Sequence, residues 1–211
     1  MRYEKGRKDA SRQRIMEVAA ERFRADGIAA SGLAGIMSEA GLTNGAFYPH
    51  FQSKAELVRE CVGAALEDQS RRLQAAFDAG GLDAVLSIYL STAHRDDPAS
   101  GCVSAALLPE IARQPAETRD FYAERLLNIV RQMASSMPGS ARDSEGLALS
   151  LYATLIGTLQ LARAVKGTPL SDRVLAAGAA AARALVQLPA RDDPTPSRRK
   201  TSSNKGKTQS S

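Results

Sequence analysis

The sequence predicts an all-α protein, and three observations carry that expectation. Aromatic residues make up only 5% of the chain and Trp is absent, while Ala, Leu and Arg abound, a composition that favours helix over strand. Apolar residues recur at helical spacing in one segment after another, as they do in helices with one buried face. Gly, Pro and capping residues punctuate those segments at helix-like intervals. A hydrophobic fraction of 44% supports a real core, and 211 residues accommodate a small N-terminal unit and a larger one.

In chain order, Asp9 or Ser11 is positioned to cap a first helix whose stripe is Ile15, Val18, Ala19 and Phe23, ended by Gly27. Ser31 or Gly32 opens a second helix carrying Leu33, Ile36, Met37 and Ala40, which Gly41 breaks where a positive φ costs little. A third short helix follows through Phe47 and Phe51. Two short helices joined by a glycine-opened turn make a helix-turn-helix, and Thr43, Asn44, Gly45, Tyr48 and His50 give it a small polar face suited to a DNA major groove.

Ser53 to Glu56 is a capping box that starts a long fourth helix, with Leu57, Val58, Cys61, Val62, Leu66, Leu73 and Phe77 inward and Gly80 and Gly81 closing it. A fifth, from Leu82 to Ala93, is expected to fail at the polar run His94-Arg95-Asp96-Asp97-Pro98. A sixth, Gly101 to Arg113, contains Pro109 and should kink or stop early. A seventh from Pro115 to Met137, an eighth from Ser144 to Lys166 and a ninth from Ser171 to Leu188 bring the expected total to about nine. The predicted organisation is a helix-turn-helix DNA-binding domain at 1–52, a helical effector-binding and dimerisation domain at 53–188, and a basic disordered tail at 189–211.

Charge is concentrated at the ends. Residues 1–14 and 189–211 each carry a surplus of four positive charges, which leaves the body at −3 within a formal total of +5. Both ends therefore suit a polyanion. Two cysteines, Cys61 and Cys102, without a CxxC pair or a His cluster, speak against a disulfide framework and a zinc site, so neither metal nor cofactor is expected. A charged N-terminus with no apolar stretch carries no secretory signal, and a reduced cytoplasmic compartment fits. Gly146 to Val165 is apolar enough to raise the question of a membrane span, but Gln160, Arg163 and the lack of a second such segment favour a buried interface helix.

The last two helices are apolar around too much of their circumference for a monomer surface, and their small residues permit close approach. They predict a two-fold four-helix interface, with Leu151, Leu155, Gly157, Leu175 and Ala179 as its candidate residues. Between the fifth and eighth helices, Tyr89, Cys102, Leu107, Phe121 and Tyr152 are candidates for an effector pocket with two tyrosines as polar points. Cys102, at the head of a helix, has two readings, a reactive sensor thiol or an inert core residue; Cys61, on an apolar stripe, reads as structural.

At residues 41–57, G-L-T-N-G-A-F-Y-P-H-F-Q-S-K-A-E-L, the sequence resembles the TetR family of bacterial transcriptional regulators. The resemblance is close over residues 11 to about 60 and architectural beyond. It implies that Thr43, Tyr48, His50 and Lys54 meet DNA phosphates, that Ser31 substitutes for the capping residue missing at Gly32, and that Asn44 reads a base while Gly45 permits close approach. Ala46 and Pro49 depart from the common pattern. The function it implies is a homodimeric repressor on a palindromic operator, released when a small ligand spreads its two reading heads through the fourth helix. An adaptor of the same fold acting through protein contacts, and a helical enzyme using the C-terminal pocket, are the alternatives. No paired-carboxylate, His-Cys, Ser-His-Asp or phosphate-loop arrangement supports an enzyme.

Overall fold

A computed structural model of the chain describes residues 2–137 and 141–187. Among the described residues every regular element is helical: α1 (Arg2–Asp26), α2 (Leu33–Glu39), a 3₁₀ turn (Asn44–Ala46), α3 (Lys54–Tyr89), α4 (Thr92–Asp96), α5 (Val103–Ile111), α6 (Ala116–Ser135), α7 (Ala141–Ala164) and α8 (Pro169–Gln187). The predicted tail lies outside the described residues.

α1 buries Ile15, Val18, Ala19 and Phe23, and Gly27 ends it at φ +93°. It starts well before Asp9 and Ser11, because the Arg, Glu and Lys that precede them are good helix formers and nothing there breaks the helix. Gly32 is the N-cap of α2 and offers no side-chain bond, while the Ser31 hydroxyl, fully buried, donates to the Gly27 carbonyl at 2.7 Å. At the head of α3, Ser53 Oγ accepts from Glu56 N at 3.1 Å and Glu56 reaches back to Gln52 N at 2.6 Å. That reciprocal cap forms as predicted, one residue further back than the standard box.

The expected fourth and fifth helices are two arms of α3, bent at Gly80 (φ −170°) and Gly81 (φ +63°). Only a residue without Cβ adopts the second conformation cheaply. The polar run predicted to be irregular instead forms α4, because Ser91 Oγ accepts from His94 N at 3.0 Å and caps it. Pro109 sits within α5, which ends two residues later.

α3 packs on α6, α6 on α7 and α7 on α8, around one continuous cluster that also takes in the N-terminal helices. Phe121 lies against Gly63, where a Cβ would come within 2.8 Å of its ring. α7 and α8 meet closely at Gly178, where a Cβ would lie 2.2 Å from Thr158. Among the described residues, Ser144–Ala164 is long and apolar enough to cross a membrane by length and composition, yet its stripe Ala148, Leu151, Leu155, Leu159 and Ala162 is fully buried in the protein's own core.

That burial corrects the interface residues expected from sequence. Leu151, Leu155 and Leu175 face inward, and Ala179 is half-buried. The outward apolar stripe of α7 is Leu149, Ala153, Gly157 and Leu161, continued on α8 by Ala176, Ala177, Ala180 and Ala184. Leu149 and Leu161 are 51% and 55% exposed. Two residues are 200° around a helix, so the buried run Leu151, Leu155 and Leu159 and the exposed run offset from it by two lie on opposite sides of α7.

Candidate nucleic-acid interface and effector cavity

The segment after Gly41 (φ +73°) is held by two aromatic rings. Phe47 and Phe51 are buried and stack at 5.5 Å, which turns Thr43, Asn44, Gly45 and Tyr48 outward, Tyr48 to 70% exposure. Thr43 precedes the 3₁₀ turn at φ −80°, ψ 155°, and its hydroxyl makes no cap bond. Ala46 N donates to Thr43 O at 3.0 Å, Phe47 N to Asn44 O at 3.2 Å and His50 N to Phe47 O at 2.9 Å. The predicted third α-helix is thus a 3₁₀ turn followed by further turn. Pro49 has no N–H to give Gly45 O and its ring would crowd that carbonyl, so an α-helical bond is denied where the helix needs it. A Cβ at Gly45 would meet nothing within 4 Å, so the fold itself makes no demand for glycine there.

His50 is half-buried and its Nδ1 has no partner. Burial first, then the positive charges of Lys8 and Arg12, lowers its pKa below the ordinary imidazole value. Arg12 lies over the Phe51 ring at 4.8 Å and pairs with Glu60. Lys8 and Arg12 are the part of this surface that sequence reasoning missed as individual residues; the basic run at 1–14 was the available signal. Lys54 donates to the Ile28 carbonyl, which ties the α1–α2 loop to α3. Ser31, buried and spent on Gly27, presents nothing outward.

A cavity of about 380 Å³ lies between α3, α4 and the head of α5, within the size range of small-molecule sites. Tyr89 and Cys102 line it, as do Gln69, Leu73, Ala76, Val85 and Ile88. The other expected pocket residues are elsewhere. Leu107 is in the core, Phe121 covers Gly63, and the Tyr152 hydroxyl accepts from Gln69 Nε2 at 3.0 Å behind the cavity wall. Burial, above all, holds the Tyr89 phenol well above its ordinary pKa.

His94 fixes one end of this wall. Its Nε2 accepts from Cys102 N at 3.0 Å, so its Nδ1 carries the proton and donates to Tyr89 O at 2.7 Å. Burial lowers its pKa, in keeping with a neutral ring. Cys102 Sγ accepts from Ala105 N at 3.4 Å and caps α5. Cys61 is buried against α1 and its thiol is pushed up to about 12, chiefly by desolvation, which disfavours the thiolate.

α5 runs from the cavity to the helix-turn-helix unit. At its far end Glu110 Oε2 accepts from Ala29 N at 2.8 Å, and its other oxygen sits where a Cβ on Gly27 would come within 2.6 Å. Arg24 of α1 donates to Ala99 O beside the cavity.

Residues 15–61 match the family described as bacterial regulatory proteins, tetR family. The chain is 28% identical over 128 residues to the HTH-type transcriptional repressor KstR2 of Rhodococcus jostii (strain RHA1), an alignment covering 60% of this chain and 62% of that relative, short of two thirds of its length. The fold is similar to that of E. coli NemR in its reduced form, at 18% identity, TM-score 0.70, with 86% of this chain and all (100%) of that one covered. It is equally similar to a TetR-family transcriptional regulator from Cytophaga hutchinsonii, at 21% identity and TM-score 0.70 over 87% and 98% of the two chains. The helix-turn-helix segment is thus matched in sequence by the model of the tetR family of bacterial regulatory proteins, and the whole helical architecture is matched in structure by the fold of solved TetR-family regulators.

Proposed function

We propose that the protein is a dimeric, cytoplasmic transcriptional repressor, without enzymatic activity, released from a palindromic operator by a small molecule. The observation that carries this reading is the outward set Thr43, Asn44, Gly45 and Tyr48, held on a rigid Phe47–Phe51 stack within the segment that matches the family. Thr43, Tyr48, His50 and Lys54 meet phosphates and set position, with Lys54 sparing donors beyond the one given to Ile28. Asn44 pairs with a base edge, and Gly45 lets the backbone come close. Ser31 supports the α1–α2 loop rather than touching DNA.

The exposed stripe Leu149, Ala153, Gly157 and Leu161, with the alanines of α8, packs against its copy and places two reading heads on successive turns of DNA. A ligand in the cavity displaces the Cys102 end of α5, and Glu110 carries the displacement to the loop before α2, alongside pivoting of α3. Selection from random duplex DNA with the purified chain at physiological salt tests the reading. Enrichment of a palindrome is expected, and recovery of unselected sequence alone defeats it.

A further inference from the structure

A buried chain of hydrogen bonds ends, unfinished, in the cavity wall. Tyr122 Oη donates to Ser104 Oγ at 2.9 Å, Ser104 Oγ is bonded to Tyr152 Oη at 3.1 Å, and Gln69 Nε2 donates to Tyr152 Oη at 3.0 Å. There the chain stops, because Gln69 Oε1 is buried without a partner. The Tyr89 hydroxyl is buried as well, with no nitrogen or oxygen partner and only the weakly bonding Cys102 thiol beside it, and both residues line the cavity. An unpaired buried polar atom costs free energy that a ligand supplying its partner recovers.

The rest of the wall says what that ligand is. Leu73, Ala76, Val85 and Ile88 make it apolar. Its charged residues are Arg24, Arg72, Asp68 and Asp97, balanced in sign and already engaged: Arg72 with Asp68 at 2.6 Å, Asp97 with Ser100, Arg24 with Ala99 O. His94 has both ring nitrogens in backbone bonds. Arg163 lies behind Gly101, where it donates to the His94 and Arg95 carbonyls.

We propose that the cavity takes a small, neutral, mainly apolar molecule bearing one hydroxyl group, which donates to Gln69 Oε1 and accepts from Tyr89 Oη. The assignment rests on the effector reading of this cavity. A hydroxyl is both donor and acceptor, so it fits Gln69 with its carboxamide in either orientation. A carboxylate adds a charge to a wall whose two cations and two anions already balance, and a hydrocarbon leaves both polar atoms unpaired.

The test is calorimetric titration of the full chain, without DNA and at neutral pH, with 4-propylphenol, 4-propyltoluene and 4-propylbenzoate, three probes of matched shape. The phenol is expected to bind about tenfold or more tightly than either of the others. In Tyr89→Phe the phenol loses about tenfold while the toluene is unchanged, and the unliganded melting temperature stays level or rises because an unpaired hydroxyl is gone. Equal affinity for phenol and toluene, tightest binding by the benzoate, or no binding by any of the three at millimolar concentration overturns the assignment. Operator binding is measured separately: a chain that binds the phenol but selects no DNA keeps this assignment and defeats the repressor reading, and the converse result defeats only the ligand class.

Discussion

Two glycines on adjoining helices are expected to respond in opposite senses to the same added methyl group, and the contrast locates the dimer interface. Gly157 is in mid-helix on the exposed face of α7, where a Cβ meets nothing within 4 Å. In an isolated protomer Gly157→Ala therefore gains helix propensity, about 0.5–1 kcal/mol, or roughly 2–4 °C of melting temperature per kcal/mol for a chain of this size. Gly178 faces inward, and a Cβ there would stand 2.2 Å from both Thr158 Oγ1 and Cγ2, over an ångström inside ordinary contact. Overpacking of that kind costs about 1–3 kcal/mol, so Gly178→Ala should lower stability despite the same propensity gain.

If the α7–α8 stripe is the dimer contact, Gly157→Ala also meets the partner's backbone, and the outcome depends on concentration. Sedimentation equilibrium and thermal unfolding across a range of protein concentrations separate the two effects. The expected result is a monomer–dimer dissociation constant raised by about tenfold, an overpacking cost of about 1.4 kcal/mol, with unchanged or greater stability where the protomer is monomeric. A Gly157→Ala protein that is stabilised at every concentration and dimerises normally would refute the placement of the interface.

Asn44→Ala should relax sequence preference at one base pair per half-site by about 1–3 kcal/mol, read by repeating the duplex selection; an unchanged consensus removes Asn44 from base reading. Phosphate approach should raise the lowered pKa of His50, so operator binding takes up protons and tightens as pH falls from 8 to 6. His50→Gln should flatten that dependence in fluorescence anisotropy, and a dependence that survives the change assigns it elsewhere. Glu110→Gln weakens the bond to Ala29 N while keeping its shape; it should reduce how far 4-propylphenol lowers operator affinity without altering the phenol's own binding, and equal release in both proteins would remove α5 from the route.

What the sequence made legible follows from where each signal resides. The stripes of α1 and α3 were readable because each has a polar opposite face that fixes its phase. α7 has none: Leu147, Leu149, Leu151, Leu155, Leu159 and Leu161 surround it, so the sequence identified an over-apolar helix but put Leu151 and Leu155 on the wrong side. Pro49 was noticed as a departure, and its missing N–H denies Gly45 O an α-helical partner just after the 3₁₀ turn. The cap that makes α4 was visible as Ser91 three residues before His94, but the charged run that follows outweighed it. His94 could not be read at all, because its partners, Tyr89 O and Cys102 N, come together only once the α4–α5 turn is built.

The cavity shows how a local anomaly can carry more than a favourable composition. Tyr152, Phe121 and Leu107 were chosen as aromatic or large apolar residues, a property that core and pocket share, and all three lie away from the cavity. Gln69 was passed over, although it falls at helical spacing between Leu66 and Leu73 on the buried stripe of α3. A carboxamide at a core position has to be satisfied on both ends. One end meets Tyr152 and the other is left without a partner in the cavity wall, so the residue that breaks the stripe is the one that marks the site.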